Sequence, residues 1–188
     1  MKLLFLDLET TGLLDTDTIL EVGAIIHDIV ENREISRKQM LVRHTIRRQF
    51  LPMPRVVYDM HMKSGLLTEI GHEYGTHDVQ EVVIQMILDA GMSSGECIMA
   101  GFSPHFDRRF LRLHMPALES FLHYRNIDVS TLRELTFAWT GSKPDKIDRH
   151  RAIPDCEEAI ATLMTYRRRF ASVLPILTAA EAGLGALP

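Results

Sequence analysis

The stretch LLFLDLETTG, Leu3–Gly12, decides the fold of this chain. Four apolar residues lead into Asp7, Leu8 and Glu9. On a strand, alternate side chains share a face, so Asp7 and Glu9 project to the same side. The apolar run reads as a buried strand, and burying a charge is costly unless something of opposite sign meets it. Taken alone, the pair also fits an edge strand whose acids face water. Two adjacent carboxylates repel, however, and both stay ionised only where a cation bridges them. Hard oxygen ligands of this kind suit Mg²⁺ or Mn²⁺.

Outward from this strand, ILEVGAIIHD (Ile19–Asp28) and SRKQMLVRH (Ser36–His44) read as a second and a third strand. The short connections predict that the first three run antiparallel. An irregular region with Pro52, Pro54, Gly65, Gly71 and Gly75 follows. Val79, Val82, Val83, Met86 and Ile87 then mark a helix from about Val79 to Ala90, with Asp78 as its cap, Glu81 completing a capping box and Gly91 as its stop. Glu96–Phe102 reads as a fourth strand and Asn126–Ser130 as a short fifth. Helical segments are expected over Phe106–Met115, from Pro116, after Ser130 and from Pro154 to Phe170, and Gly141–His150 reads as a polar loop. The order predicts an α/β fold, a mixed five-stranded sheet flanked by helices.

The chain has 188 residues, 46% hydrophobic and 24% charged, which suits one domain with a sizeable core. That domain is expected over residues 1–175, with 176–188 as a tail or packing arm. A net charge of −4 excludes the bulk basic surface on which duplex binders rely. Three local basic clusters read as solvated faces: Arg43, His44, Arg47 and Arg48; Arg108, Arg109 and Arg112; Arg149, His150 and Arg151. Cys97 and Cys156 lack CxxC spacing, which points to a reducing, cytoplasmic setting without a disulfide framework or a zinc site. The opening apolar run is too short for a signal peptide and holds two acids. The apolar tail contains Pro175, Glu181 and Pro188, so no membrane partner is expected.

Two further pieces carry chemistry. In AGFSPHFDRRFL, Asp107 sits at the start of a helix that follows a strand. In HRAIPDCEEAI, His150 precedes Asp155 by five residues, with Asp155 in a first helical turn. Each acid alone could simply favour a helix dipole. Together, Asp7, Glu9, Asp107, Asp155 and His150 supply what two-metal phosphodiester hydrolysis requires. Four carboxylates can hold two divalent ions ~3.5–4 Å apart, and a histidine can take a proton from the attacking water.

DLETTG, HFDRR and HRAIPD resemble the three motifs of the DEDD 3′–5′ exonucleases, with the histidine of the DEDDh branch. With ILEVGAIIHD, HMKSGLL and HYRNIDVSTLREL, they resemble the oligoribonuclease family over most of Leu3–Phe170. The resemblance implies a ribonuclease-H-like fold, a homodimer and 3′–5′ cleavage of very short single-stranded RNAs, down to dinucleotides. It implies that Asp7, Glu9, Asp107 and Asp155 hold two divalent cations and that His150 is the general base. It further implies that Leu13 wedges between two bases, that His61 lines the base pocket, and that Ser103, Arg125, Ser130 and Thr131 cap the 5′ phosphate. Tyr124 is implied to reach the substrate of a partner subunit. From the residues themselves, Leu13 also reads as a loop core residue, His61 as a helix-surface histidine, and Ser130 and Thr131 as helix caps.

Thr11 stands where oligoribonucleases more often have Met, Phe102 where they have Asn and Met62 where they have Thr. These departures support a second reading, a broader DEDDh exonuclease that trims or proofreads 3′ ends of single-stranded DNA or RNA.

Overall fold

The structure, a computed structural model, describes residues 1–43, 52–69, 74–142 and 149–183, with side chains described as far as residue 172. Three strands come first: β1 (Lys2–Thr10), β2 (Ile19–Asp28) and β3 (Arg33–Leu41). Helices α1 (Arg55–Lys63), α2 (Leu66–Glu69) and α3 (Thr76–Asp89) follow. Then come β4 (Ile98–Gly101), α4 (Pro104–His114), α5 (Pro116–Phe121), β5 (Asn126–Asp128), α6 (Val129–Thr140) and α7 (Ala152–Gly183). The sheet order is β3-β2-β1-β4-β5; β1, β2 and β3 pair antiparallel, and β4 and β5 run parallel to β1. This is the mixed, helix-flanked sheet that the sequence predicts.

β1 lies at the centre, buried on both faces. Leu4, Leu6 and Leu8 enter one core with Val83 and Ile87 of α3, Phe110 of α4 and Leu118 of α5. Leu3 and Phe5 enter the other with Val129 of α6 and Ile153, Cys156 and Ala159 of α7. Period-two alternation then sends Asp7 and Glu9 to the α7 side. The carboxyl ends of the parallel strands β1 and β4 open beside the amino ends of α4 and α7, where open α/β sheets place ligands.

Several boundaries differ from the sequence reading. The third strand is Arg33–Leu41, three residues earlier than expected, and a register irregularity at Ile26/His27 precedes it. Its expected end at His44 lies outside the described residues, as do His44, Arg47 and Arg48 of the first basic cluster. The expected cap of α3 is corrected: the helix begins at Thr76, and the Asp78 carboxylate accepts the N–H of Gly75 at 3.1 Å. The region read as irregular contains α1 and α2, separated near Gly65 at φ +82°. Among their described residues only His61, Leu66 and Leu67 are buried, too few to leave a helical period in the sequence. The last helix starts two residues early and continues through the expected tail boundary to Gly183.

The second and third basic clusters are corrected in part. Arg108 is buried, donating to Glu119 at 2.9 Å, to the His123 carbonyl at 2.8 Å and to Asn126 at 3.0 Å. Arg151 is likewise committed to buried and surface carboxylates. Both cysteines are free and buried. Burial pushes the Cys97 thiol up to about 12 and raises Cys156 well above its ordinary range, so neither carries thiolate chemistry. Among the described residues, no helix is long and apolar enough to cross a membrane.

Candidate active site

Asp7 and Glu9 meet Asp155, from the first turn of α7, at the carboxyl end of β1. The three offer oxygens that all lie within 4.8 Å of one another. Asp107 comes from the first turn of α4, is 4% exposed, and accepts the Leu8 N–H through Oδ1 at 3.0 Å. That bond ties α4 to β1 between the two β1 acids. The four carboxylates predicted from sequence therefore converge from three elements, with Asp107 held somewhat apart by its commitment to Leu8.

Their mutual repulsion is written in their proton affinities. Burial, then the charges of Asp7 and Asp155, push Glu9 up to about 9. Burial, then Asp7, raise Asp107 well above the carboxylate range. Without a cation, Glu9 carries a proton at neutral pH. A cluster of oxygen ligands that cannot all ionise on their own fits a divalent cation.

His150 sits at φ +53°, a backbone region that few side chains adopt. It lines a cavity of about 530 Å³ with Met60, Lys63 and Arg149. The Arg149 N–H reaches Asp155 Oδ1 at 3.4 Å, so the loop carrying His150 is tied to the carboxylate cluster.

A second cavity, about 460 Å³, is walled by Asp7, Asp107 and Asp155 on one side and by Phe102, Ser103, Ser130 and Arg133 on the other. Ser103 Oγ and Ser130 Oγ stand 3.3 Å apart. Asp128 sets them there: its Oδ1 accepts the Ser103 N–H at 3.0 Å and the Ser130 N–H at 2.9 Å. Asp128 is thus the cap of α6, which corrects the reading of Ser130 and Thr131 as caps.

The other expected substrate contacts are placed differently. Thr131 is exposed and does not line this cavity. Tyr124 is 75% exposed, stacks on His123 and accepts from Arg125 Nε at 3.0 Å. Leu13 is 69% exposed beside Leu14, which removes the reading of it as a core leucine. His61 is fully buried, which removes the reading of it as a helix-surface histidine. Its Nε2 donates to the Thr10 carbonyl at 2.8 Å, and its Nδ1 lies 3.8 Å from Glu9 Oε2. Burial lowers its pKa, so a neutral ring backs the Glu9 carboxyl.

Four residues escaped the sequence reading. Arg133 is buried on the cavity wall, its guanidinium over the Phe102 ring, and its Nε has no hydrogen-bond partner among the described residues. Asp128 was legible as the acid of an Asp-Val-Ser capping pattern. Glu21 was legible as a charge inside an otherwise apolar strand, which demands a partner. Arg151 gave no such signal, because flanking basic residues disguised it as part of a solvated run.

The RNase_T exonuclease family model matches residues 4–163. An oligoribonuclease of Corynebacterium diphtheriae is 39% identical over 173 residues, covering 89% of this chain and 82% of that protein. An oligoribonuclease of Idiomarina loihiensis is 35% identical, covering 91% and 95%. Among solved structures, E. coli exonuclease I in complex with a 5cy-dA13 oligonucleotide shares the fold at TM-score 0.67 and 16% identity, over 95% of this chain. This chain spans only 43% of that larger protein. The cell-death related nuclease CRN-4 shares it at TM-score 0.66 and 14% identity, over 89% of this chain and 64% of that one. With its acids gathered at the end of β1, residues 4–163 matched by the exonuclease model and relatives up to 39% identical over most of their length, the chain belongs to the oligoribonuclease family of exonucleases.

Proposed function

We propose that this protein is a 3′–5′ exoribonuclease that degrades very short RNAs, down to dinucleotides, to 5′-mononucleotides. One observation carries the reading. The metal-type carboxylates and a pair of hydroxyls beside a buried arginine wall the same cavity of about 460 Å³. Ser103 and Ser130 donate to the 5′ phosphate, and Arg133 supplies charge beside it. A satisfied phosphate at that wall ends the path of the substrate.

Asp7, Glu9, Asp107 and Asp155 would hold two divalent cations, Mg²⁺ or Mn²⁺, which when bound stabilise charge on the phosphodiester and acidify a water. His150 accepts the proton of the attacking water. Its oxygen attacks phosphorus, and the 3′ oxygen of the penultimate nucleotide leaves. Exposed Leu13 contributes an apolar, sequence-tolerant surface for bases. Arg125 and Tyr124 point into solvent from one chain, which supports a homodimer in which they serve the partner's substrate. The exonuclease unit we assign is residues 1–175, in a cytoplasmic setting supported by two free, buried cysteines.

The test is a length series: 5′-labelled RNAs of two to seven nucleotides and matching DNAs, incubated with Mg²⁺ or Mn²⁺. Fastest turnover of the diribonucleotide is expected. No conversion of the dinucleotide overturns the reading. Long single-stranded DNA degraded equally fast selects the broader exonuclease instead.

A further inference from the structure

Glu21 lies directly opposite Glu9 in the β1–β2 ladder and is fully buried. Its carboxylate is saturated. Oε1 accepts Gln39 Nε2 at 2.5 Å and Arg151 Nη2 at 2.9 Å. Oε2 accepts the Ala152 N–H at 2.9 Å, and Arg151 Nε lies 3.2 Å from both oxygens. The far side of the same guanidinium meets Glu69 of α2, at 3.1 Å through Nη1 and 2.7 Å through Nη2. One arginine thus joins β2, the turn before α7, and α2.

This arginine follows His150 directly and precedes Asp155 by four residues. Gly23 permits the close approach of the turn: a Cβ at that position would lie 2.6 Å from the Ala152 carbonyl carbon. The backbone at Ala152 is therefore bolted to β2 by a hydrogen bond, by a bidentate ion pair and by contact. His150 holds a positive φ immediately before that bolt. Such a conformation persists only where the surroundings over-determine it.

We propose that Glu21 and Arg151 are positioning residues of the reaction, a clamp on a buried carboxylate that holds His150 in productive geometry through the turn that follows it. Neither touches the reacting atoms. Glu69 extends the clamp to α2, so the α1–α2 segment that carries His61 keeps register with the catalytic turn. The inference rests on the role of His150 given above.

Glu21→Gln and Arg151→Lys test it, with kcat and KM measured on a diribonucleotide and Mn²⁺ binding measured by calorimetry. The expected result is a fall in kcat of about tenfold or more, with KM and Mn²⁺ affinity within about threefold of wild type. The same two substitutions in a His150→Ala background should cost less than about twofold, because a clamp acting through His150 has nothing left to position. Unchanged kcat in both folded variants, or full additivity with His150→Ala, overturns the proposal. If Glu21→Gln does not fold, Arg151→Lys carries the test, since it retains the charge. Wild-type turnover that is insensitive to His150→Ala sinks the role of His150 instead, a distinguishable failure.

Discussion

Thr11 Oγ1 donates to Asp17 Oδ1 at 3.0 Å while accepting the Thr18 N–H at the same distance. The other Asp17 oxygen accepts the Leu14 N–H at 2.8 Å. A Cβ at position 12 would lie 2.4 Å from this carboxylate, so a larger residue there would displace the Asp17 side chain. From outside, Arg109 donates to the Leu13 carbonyl and pairs with Asp15 at 3.3 Å. Thr11, one of the three departures noted in the sequence, is thus the inner staple of the loop that displays Leu13.

Removing that staple should loosen the loop without touching the chemistry. Thr11→Val keeps the shape and removes the hydroxyl from two half-buried partners, so stability should fall by about 0.5–1.5 kcal/mol. On a diribonucleotide, KM should rise more than kcat falls. Chemical denaturation and steady-state kinetics read the two effects; a change confined to kcat would contradict a role in base placement.

Cation binding should release a proton. The Glu9 pKa, near 9 in the metal-free protein, lies above the ordinary carboxylate value of 4.5. In the free protein, protonated Glu9 therefore favours folding below 4.5, and this contribution is lost as pH rises through 9. A cation selects the ionised form, so Mn²⁺ affinity should climb between pH 6 and 9. Calorimetry in buffers of different ionisation enthalpy should show proton release at pH 7, smaller by close to one proton in Glu9→Gln.

Asp7→Ala should abolish turnover, because the carboxylate cluster loses a member. His150→Ala should slow turnover by ~10²–10⁴-fold, the scale of general-base catalysis. Substrate binding should survive the second change better than the first. Filter binding of a labelled dinucleotide with Ca²⁺ in place of Mg²⁺ separates the roles, and equal loss of binding in both variants would refute the division.

The hydroxyl pair should read the 5′ phosphate. Ser130→Ala and Arg133→Ala should each lower kcat/KM for 5′-phosphorylated dinucleotides by about tenfold, the order expected for one charge-assisted hydrogen bond. Dinucleotides with a 5′ hydroxyl should be nearly unaffected. Equal losses on both substrates would remove the phosphate cap.

Arg108→Ala should destabilise the fold by about 1–3 kcal/mol, since it leaves Glu119 with only Arg112 at 3.7 Å and strips the His123 carbonyl and Asn126 of their donor. Urea denaturation checks it, and a change within about 0.5 kcal/mol would return Arg108 to the solvated face that its neighbours suggest.

Local chemistry in the chain already specifies much of this protein. Period-two alternation in Leu3–Glu9 sets a buried strand and puts both acids on one face. The order of strands and helices specifies the mixed sheet, and Asp7, Glu9, Asp107 and Asp155 stand out as candidate metal ligands. Those signals survive in one dimension because each depends on neighbours within a turn or a strand. What tertiary structure decided depends on partners far apart in sequence. Arg151 meets Glu21 across 130 residues, so a residue that reads as one more surface cation is committed to a buried carboxylate. His61 meets Thr10 across 51 residues and turns from a surface histidine into the backing of Glu9. Arg133 and Ser103 reach one cavity wall only because β4 and β5 lie side by side. Burial of charge is a property of the assembled sheet, and no window of sequence contains both halves of such a pair.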